Sequence, residues 1–281
     1  MATTTQRRNA KRQVRLRDLG VPALVPLWLA LAAFMVRAVV YFASRGQLGV
    51  DAHAYWLTGN HAQVYGPPPN THDAFLYSPA FAQLVWPLAQ LPWTAFFAVW
   101  VIAETAVFAW LLKPLGAAWG VPALLLCGFE IEQGNITGFL ALALVLGMRR
   151  PGTWALPLLT KVLVCLGPIW FVARGEWRAL RTFALTTAVI VGLSVLVSPH
   201  LWADWVRFLF DHRGSDPSAP LRFVAAAACV VVAARRNKPW VLAPAMILAS
   251  PLLTGIGEYL SLLAAIPRLR AYERAHAEPS A

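Results

Sequence analysis

Apolar runs separated by short polar, proline-containing or basic stretches occupy nearly the whole chain, at residues 21–42, 79–91, 93–112, 115–129, 136–148, 154–172, 182–197, 221–234 and 240–266. A helix needs about 20 apolar residues to cross roughly 30 Å of hydrocarbon, so some of these runs are long enough to span and others fall short. The pattern predicts an all-α polytopic membrane protein of about eight to ten segments, including short or broken helices. Between the last two basic stretches, residues 240–266 supply one long or two short helices, interrupted by Pro251, Gly255 and Gly257. No fixed-period repeat and no soluble domain stands out.

Composition agrees with the pattern. Hydrophobic residues make up 58% of the 281 positions and charged residues only 13%, against about 45–50% apolar and about 25% charged in a soluble domain. The net charge is +11, and its distribution argues against nucleic acid as a partner. Basic residues cluster in the first 20 positions, at Arg149 and Arg150, at Arg174 to Arg181, at Arg235 to Lys238 and at Arg268 to Arg274, each beside an apolar run. Such clusters mark cytoplasm-facing loops that meet anionic lipid headgroups. The expected organisation is a basic cytoplasmic N-terminal segment at 1–20, a membrane domain at 21–267 with an extracytoplasmic loop at 43–76, and a cytoplasmic tail at 268–281.

One stretch resists simple alternation. Only 23 residues separate Arg150 from Arg174, enough for one crossing, yet both clusters ask to face the same side. Either the charge rule fails at Arg149 and Arg150, or the segment is a hairpin of two short helices broken near Lys161. A break is tolerated only where it is buried in protein or lines a cavity.

Candidate chemistry concentrates in the loop, which holds Asp51, Tyr55, Tyr65, Asp73 and three of the six histidines, and in Tyr77 directly after it. A carboxylate among aromatic rings just above a bilayer can take a proton from a hydroxyl while the rings stack on a sugar face. A solvated acid at a helix start explains Asp51 equally well on local chemistry. Proline at a first helical turn and tyrosine at an interface account for Tyr77 to Pro79 structurally. Glu130, Glu132, Gln133 and Asn135 sit between two apolar runs, where they either line a site or cap a helix. Lys161 is an isolated charge that either snorkels, pairs internally or binds an anionic phosphate. Arg37 and Glu104 are expected to pair and hold spans together. The spacing of His53, His61 and His72 fits no specific zinc pattern, and Cys127, Cys165 and Cys229 lack metal-like spacing. Residues 201–209 have the spacing of an amphipathic helix lying in the interface.

Taken in order, several elements resemble glycosyltransferase family 87, membrane mannosyltransferases that use polyprenyl-phosphate sugars. They are D-x-x-x-Y at Asp51 to Tyr55, G-x-x-x-x-x-Y at Gly59 to Tyr65, Y-x-P at Tyr77 to Pro79, and P-L-x-x-L-P at Pro87 to Pro92. Further along come Gln133, Gly134 and Asn135, then Lys161, then Trp177 and Arg178, although the Gln and Gly order differs from the family's and the proline usual after the lysine is displaced to Pro168. The resemblance implies a GT-C-like helical bundle in the cell membrane. It implies inverting transfer of a hexose, mannose in the family, from a lipid-linked donor to a lipid or glycan acceptor on the extracytoplasmic side. Asp51 would be the catalytic base. Tyr55, Tyr77, Gln133, Asn135 and Lys161 would bind substrate, and Arg37, Arg207 and His200 would contact phosphate or headgroup. No cofactor and no metal site are implied. The chain is shorter than is usual in the family, so a partner protein that completes the site is a further expectation. The residues by themselves leave open a non-enzymatic transporter or assembly protein, or a glycosyltransferase-like chain without activity.

Overall fold

A computed structural model describes residues 21–59, 64–69, 71–212, 216–250 and 260–276. The basic segment 1–20, His61 and the interruptions at Pro251, Gly255 and Gly257 lie outside the described residues. Among those described, the regular structure is helical throughout.

Three stretches are long and apolar enough to cross a membrane, Leu24–Ser44, Trp93–Gln133 and Trp177–Val197. The first lies in α1 (Val21–Ser44), which leaves Leu29, Phe34, Val36 and Val40 exposed. Apolar side chains projecting all round a helix suit lipid as the solvent. The second stretch has 41 residues, and a straight helix of that length would measure about 60 Å, twice the hydrocarbon thickness. It is a hairpin instead. The chain turns through a 3-10 segment at Lys113–Leu115 and Gly116, whose φ of +70° an L side chain resists, and α4 (Trp93–Leu112) packs against α5 (Gly116–Gln133). Two short helices precede this hairpin, α2 (Val50–Leu57) and α3 (Pro79–Ala89).

After α6 (Thr137–Gly147), the disputed segment takes the broken form, one of the two alternatives that the charges left open. Helix α7 (Ala155–Thr160) stops at Lys161, whose φ of −119° and ψ of 75° leave the helical region, and α8 (Gly167–Arg174) begins only after a 3-10 turn at Val162–Val164. The third long helix, α9 (Trp177–Val197), is followed by α10 (Pro199–Asp211), α11 (Ala219–Arg235), α12 (Leu242–Leu248) and α13 (Ile266–Ala275). A core of Phe96, Phe108, Leu140, Leu144, Trp154 and Trp170 is fully or almost fully buried between them.

The break reconciles the basic clusters by bringing them to one end. Arg149 lies over the Tyr272 ring, Arg174 donates to the carbonyl of Ala234 and to Asn237 Oδ1, Lys238 pairs with Glu273, and Arg268 donates to the carbonyl of Trp110. Helices α6, α8, α11 and α4 therefore end in one basic belt around α13. The expected pair of Arg37 and Glu104 does not form. Arg37 is exposed on α1, which packs chiefly on α5, whereas Glu104 is fully buried on α4, and no ion pair joins them among the described residues.

Candidate active site

Asp51 is placed by two glycines. Gly49, with φ +69°, sits before α2 and donates its N–H to the Glu132 carbonyl at 2.9 Å, fastening the start of α2 to the end of α5. Gly134, with φ +67°, closes α5, and a Cβ there would stand 2.5 Å from the Cβ of Ala52. Both positions require the left-handed backbone that glycine adopts without penalty. Asp51 consequently falls in the first turn of α2, where the helix end favours a carboxylate.

From there a chain of hydrogen bonds crosses to the broken hairpin. Asn135 Nδ2 donates to Asp51 Oδ2 at 2.7 Å, and Lys161 Nζ donates to Asn135 Oδ1 at 3.2 Å. Thr137 fixes which way the amide points. Its backbone N–H, which can only donate, reaches Asn135 Oδ1 at 3.2 Å, and its hydroxyl donates to the same atom at 2.7 Å. The atom facing Thr137 and Lys161 is therefore the carbonyl oxygen, and Asp51 receives the amide hydrogens. Burial pushes the Asp51 carboxyl above its ordinary value, while the Lys161 ammonium and the Asn135 hydrogen bond pull it back.

An aromatic wall stands one turn further along α2. Tyr55 is buried, meets the Tyr77 hydroxyl at 3.1 Å and packs against Phe75, Phe81 and Trp100. Tyr65 donates to the Tyr77 carbonyl at 2.9 Å. The Ser78 N–H donates to the Leu159 carbonyl at 3.1 Å, which ties the start of α3 to the end of α7, two residues before Lys161. Behind this seam lies an apolar cavity of about 700 Å³, lined by Phe81, Leu84, Phe139, Leu156, Leu159 and Val197 among others. A smaller cavity of about 220 Å³ shares Phe81, Leu84, Phe139 and Leu156 with it and reaches Trp100.

The remaining candidates are dispersed. Gln133 is half-buried at the end of α5, and no hydrogen bond from its side chain is found among the described residues. Arg37 is exposed on α1, His200 is exposed on α10, and Arg207 is exposed and paired with Asp204. His53 and His72 both turn to Asp73 Oδ1, at 2.6 and 3.4 Å. Among the described residues no three His, Cys, Asp or Glu side chains are arranged to hold a metal ion. Sequence reasoning missed Thr137, although Asn-x-Thr is a spacing at which an Asn side chain accepts from the backbone two residues on. It also missed Gly49, whose role depends on a contact between helices distant in sequence.

These features define a helical membrane protein in which a polar cluster away from the basic belt joins an acid, an amide and an ammonium near an apolar cavity. The family is explicit at the level of sequence: the model of glycosyltransferase family 87 matches residues 75–278, and the chain belongs to that family and so to the glycosyltransferases. Tyr77, Gln133, Asn135 and Lys161 lie within the matched region; Asp51 and Tyr55 precede it. No curated protein and no solved structure matches the chain.

Proposed function

We propose that the protein transfers a hexose, of the mannose type, from a polyprenyl-phosphate-linked donor to a lipid or glycan acceptor at the extracytoplasmic face of the cell membrane. The observation that carries this reading is the hydrogen-bonded chain from Asp51 through Asn135 to Lys161. It supplies a proton acceptor and a cation on opposite sides of one amide, as attack by a hydroxyl and departure of a phosphate demand.

The donor's prenyl chain occupies the apolar cavity, whose lining includes Leu159, two residues before Lys161. Lys161 holds the phosphate as a compact charge. The acceptor hydroxyl attacks the anomeric carbon from the face opposite the phosphate and gives its proton to Asp51. The bond from that carbon to the phosphate oxygen breaks, its electron pair stays on the phosphate, and the configuration inverts. The ammonium stabilises the charge that grows on the leaving oxygen, and the raised carboxyl of Asp51 makes it a stronger base than a free aspartate. The basic belt around α13 faces the cytoplasm under the positive-inside rule, which sets Asp51 on the opposite side. Lipid-linked donor and acceptor are then the partners required, with no cofactor.

The test is transfer from a labelled polyprenyl-phosphate hexose by the wild type and by Asp51→Asn, compared at equal amounts of folded protein. An asparagine carbonyl still accepts from Asn135, so the variant keeps its stability and loses transfer by at least about a hundredfold, the usual share of a general base. Transfer at the wild-type rate removes Asp51 from the reaction.

A further inference from the structure

Helix α10 divides into two faces. Val206, Leu209 and Phe210 are exposed on one side, while Asp204, Arg207, Phe208, Asp211 and His212 share the other. This second face closes over Val64, Tyr65 and Gly66 to leave a cleft of about 340 Å³, at the lower end of the roughly 300–1,000 Å³ of small-molecule sites. An interfacial helix needs only its apolar side to lie on a membrane, so the cleft on its polar side calls for a separate account.

Its walls are chemically mixed. The Tyr65 and Phe208 rings lie 5.8 Å apart at 40°, and the His212 ring lies 4.6 Å from that of Phe208. Around this aromatic floor stand two carboxylates, Asp204 and Asp211, and one guanidinium, Arg207, which reaches Asp204 at 3.3 Å. A phosphate would meet an excess of negative charge, which disfavours the headgroup contact expected of Arg207. A neutral polyol fits better, because its hydroxyls donate to carboxylates and accept from Arg207 while its C–H face lies on the rings.

The cleft is also joined to the candidate active site. Tyr65 is close enough to Asp204 for that carboxylate to add to the effect of burial in raising its phenol. The same phenol donates to the Tyr77 carbonyl, and the Tyr77 hydroxyl meets Tyr55, one helical turn from Asp51.

We infer that the cleft between α10 and residues 64–66 is a binding subsite for a neutral sugar, which holds the glycan headgroup of the acceptor about one layer of tyrosines from Asp51. The holding role rests on the sugar-transfer reading; the binding does not.

The experiment is saturation-transfer NMR on the full chain in nanodiscs, with methyl glycosides of mannose, glucose and galactose as probes and a methyl glycuronide as the anionic control. The expected result is saturation of at least one neutral glycoside by the wild type and equally by Asp51→Asn, no competition by inorganic phosphate, and a weak signal from the glycuronide. The double variant Asp204→Ala and Asp211→Ala, which alters only exposed side chains, weakens binding about tenfold or more through the lost hydrogen bonds. In transfer it raises the acceptor KM with kcat retained. Silence of every neutral glycoside on the wild type, or binding unchanged in the double variant, overturns the subsite. Binding lost with acceptor KM unmoved overturns its holding role. If the wild type transfers no hexose, the sugar-transfer reading fails while the NMR result still decides whether a sugar binds here.

Discussion

Replacing Gly134 by alanine tests whether close backbone contact is what positions Asp51. The glycine has φ +67°, and an added Cβ would stand 2.5 Å from the Cβ of Ala52, the neighbour of Asp51 in α2. The left-handed backbone costs an L residue about 1–2 kcal/mol, and forcing a methyl into a packed contact costs about 1–3 kcal/mol. Together they take roughly 2–5 kcal/mol from the folded state. Ordinary contact begins at 3.4 Å, so α2 must retreat by about 1 Å, and such a displacement of a reacting group costs on the order of a hundredfold in rate. Thermal unfolding in detergent and hexose transfer are measured on the same preparation, with Gly192→Ala as reference. Gly192 lies within α9 with nothing near its missing Cβ, so alanine there gains about 0.5–1 kcal/mol of helix stability. Gly134→Ala should unfold several degrees lower and transfer far more slowly. If its midpoint and rate match those of Gly192→Ala, the contact does not position Asp51.

Four further outcomes are expected. Asn135→Leu strips the acceptor from the buried Thr137 N–H, one acceptor from Lys161 and the donor from Asp51, so it should cost about 1–3 kcal/mol for the Thr137 group alone, read as a lower unfolding midpoint together with lost transfer. Transfer should fall with acidity through a carboxyl that titrates above the free aspartate value of 3.8, since burial raises Asp51; the active form is the carboxylate, so activity is present above the raised value and disappears as the pH falls through it. Lys161→Met removes a charge that lowers the same group, and the acidic limb of the pH–rate profile should move further up; a limb that stays in place severs Lys161 from Asp51. Arg222→Met removes the ion pair with Asp216 and the hydrogen bond to the Ser250 carbonyl, which should lower the unfolding midpoint in the same thermal assay.

Much of this architecture was legible because lipid leaves few alternatives to a helix. The run at 93–112 coincides with α4, and the conflict between Arg150 and Arg174 offered two solutions, of which the fold adopts the one broken at Lys161. That inference worked because charge placement constrains both ends of a segment at once. The Arg37 and Glu104 pair failed for the complementary reason. Two charges within apolar runs attract only if their helices face each other, and which helices adjoin is set by packing between distant residues. The three residues nearest the reacting position in the proposed mechanism, Asp51, Asn135 and Lys161, were each visible as polar interruptions, but nothing in their spacing showed that the amide stands between the two charges. That depends on the turn at Gly134, where the left-handed backbone and the closeness of Ala52 leave no room for a side chain.

The interposed amide resolves a conflict inherent in placing a base and a cation in one apolar body. In direct contact, an aspartate and a lysine would neutralise each other: the cation would depress the carboxyl, and the carboxylate would occupy the ammonium that a phosphate needs. Left wholly apart and buried, each would lose its charge to desolvation. Asn135 takes a middle course by presenting donors to Asp51 and an acceptor to Lys161, so both keep a partner without saturating each other. This works in only one orientation of a side chain whose two ends are nearly the same shape. Thr137 selects it, because a backbone N–H and a hydroxyl already committed to Oδ1 make the flipped amide face donor to donor. The turn that ends α5 and begins α6 therefore determines the polarity of the site as well as its position.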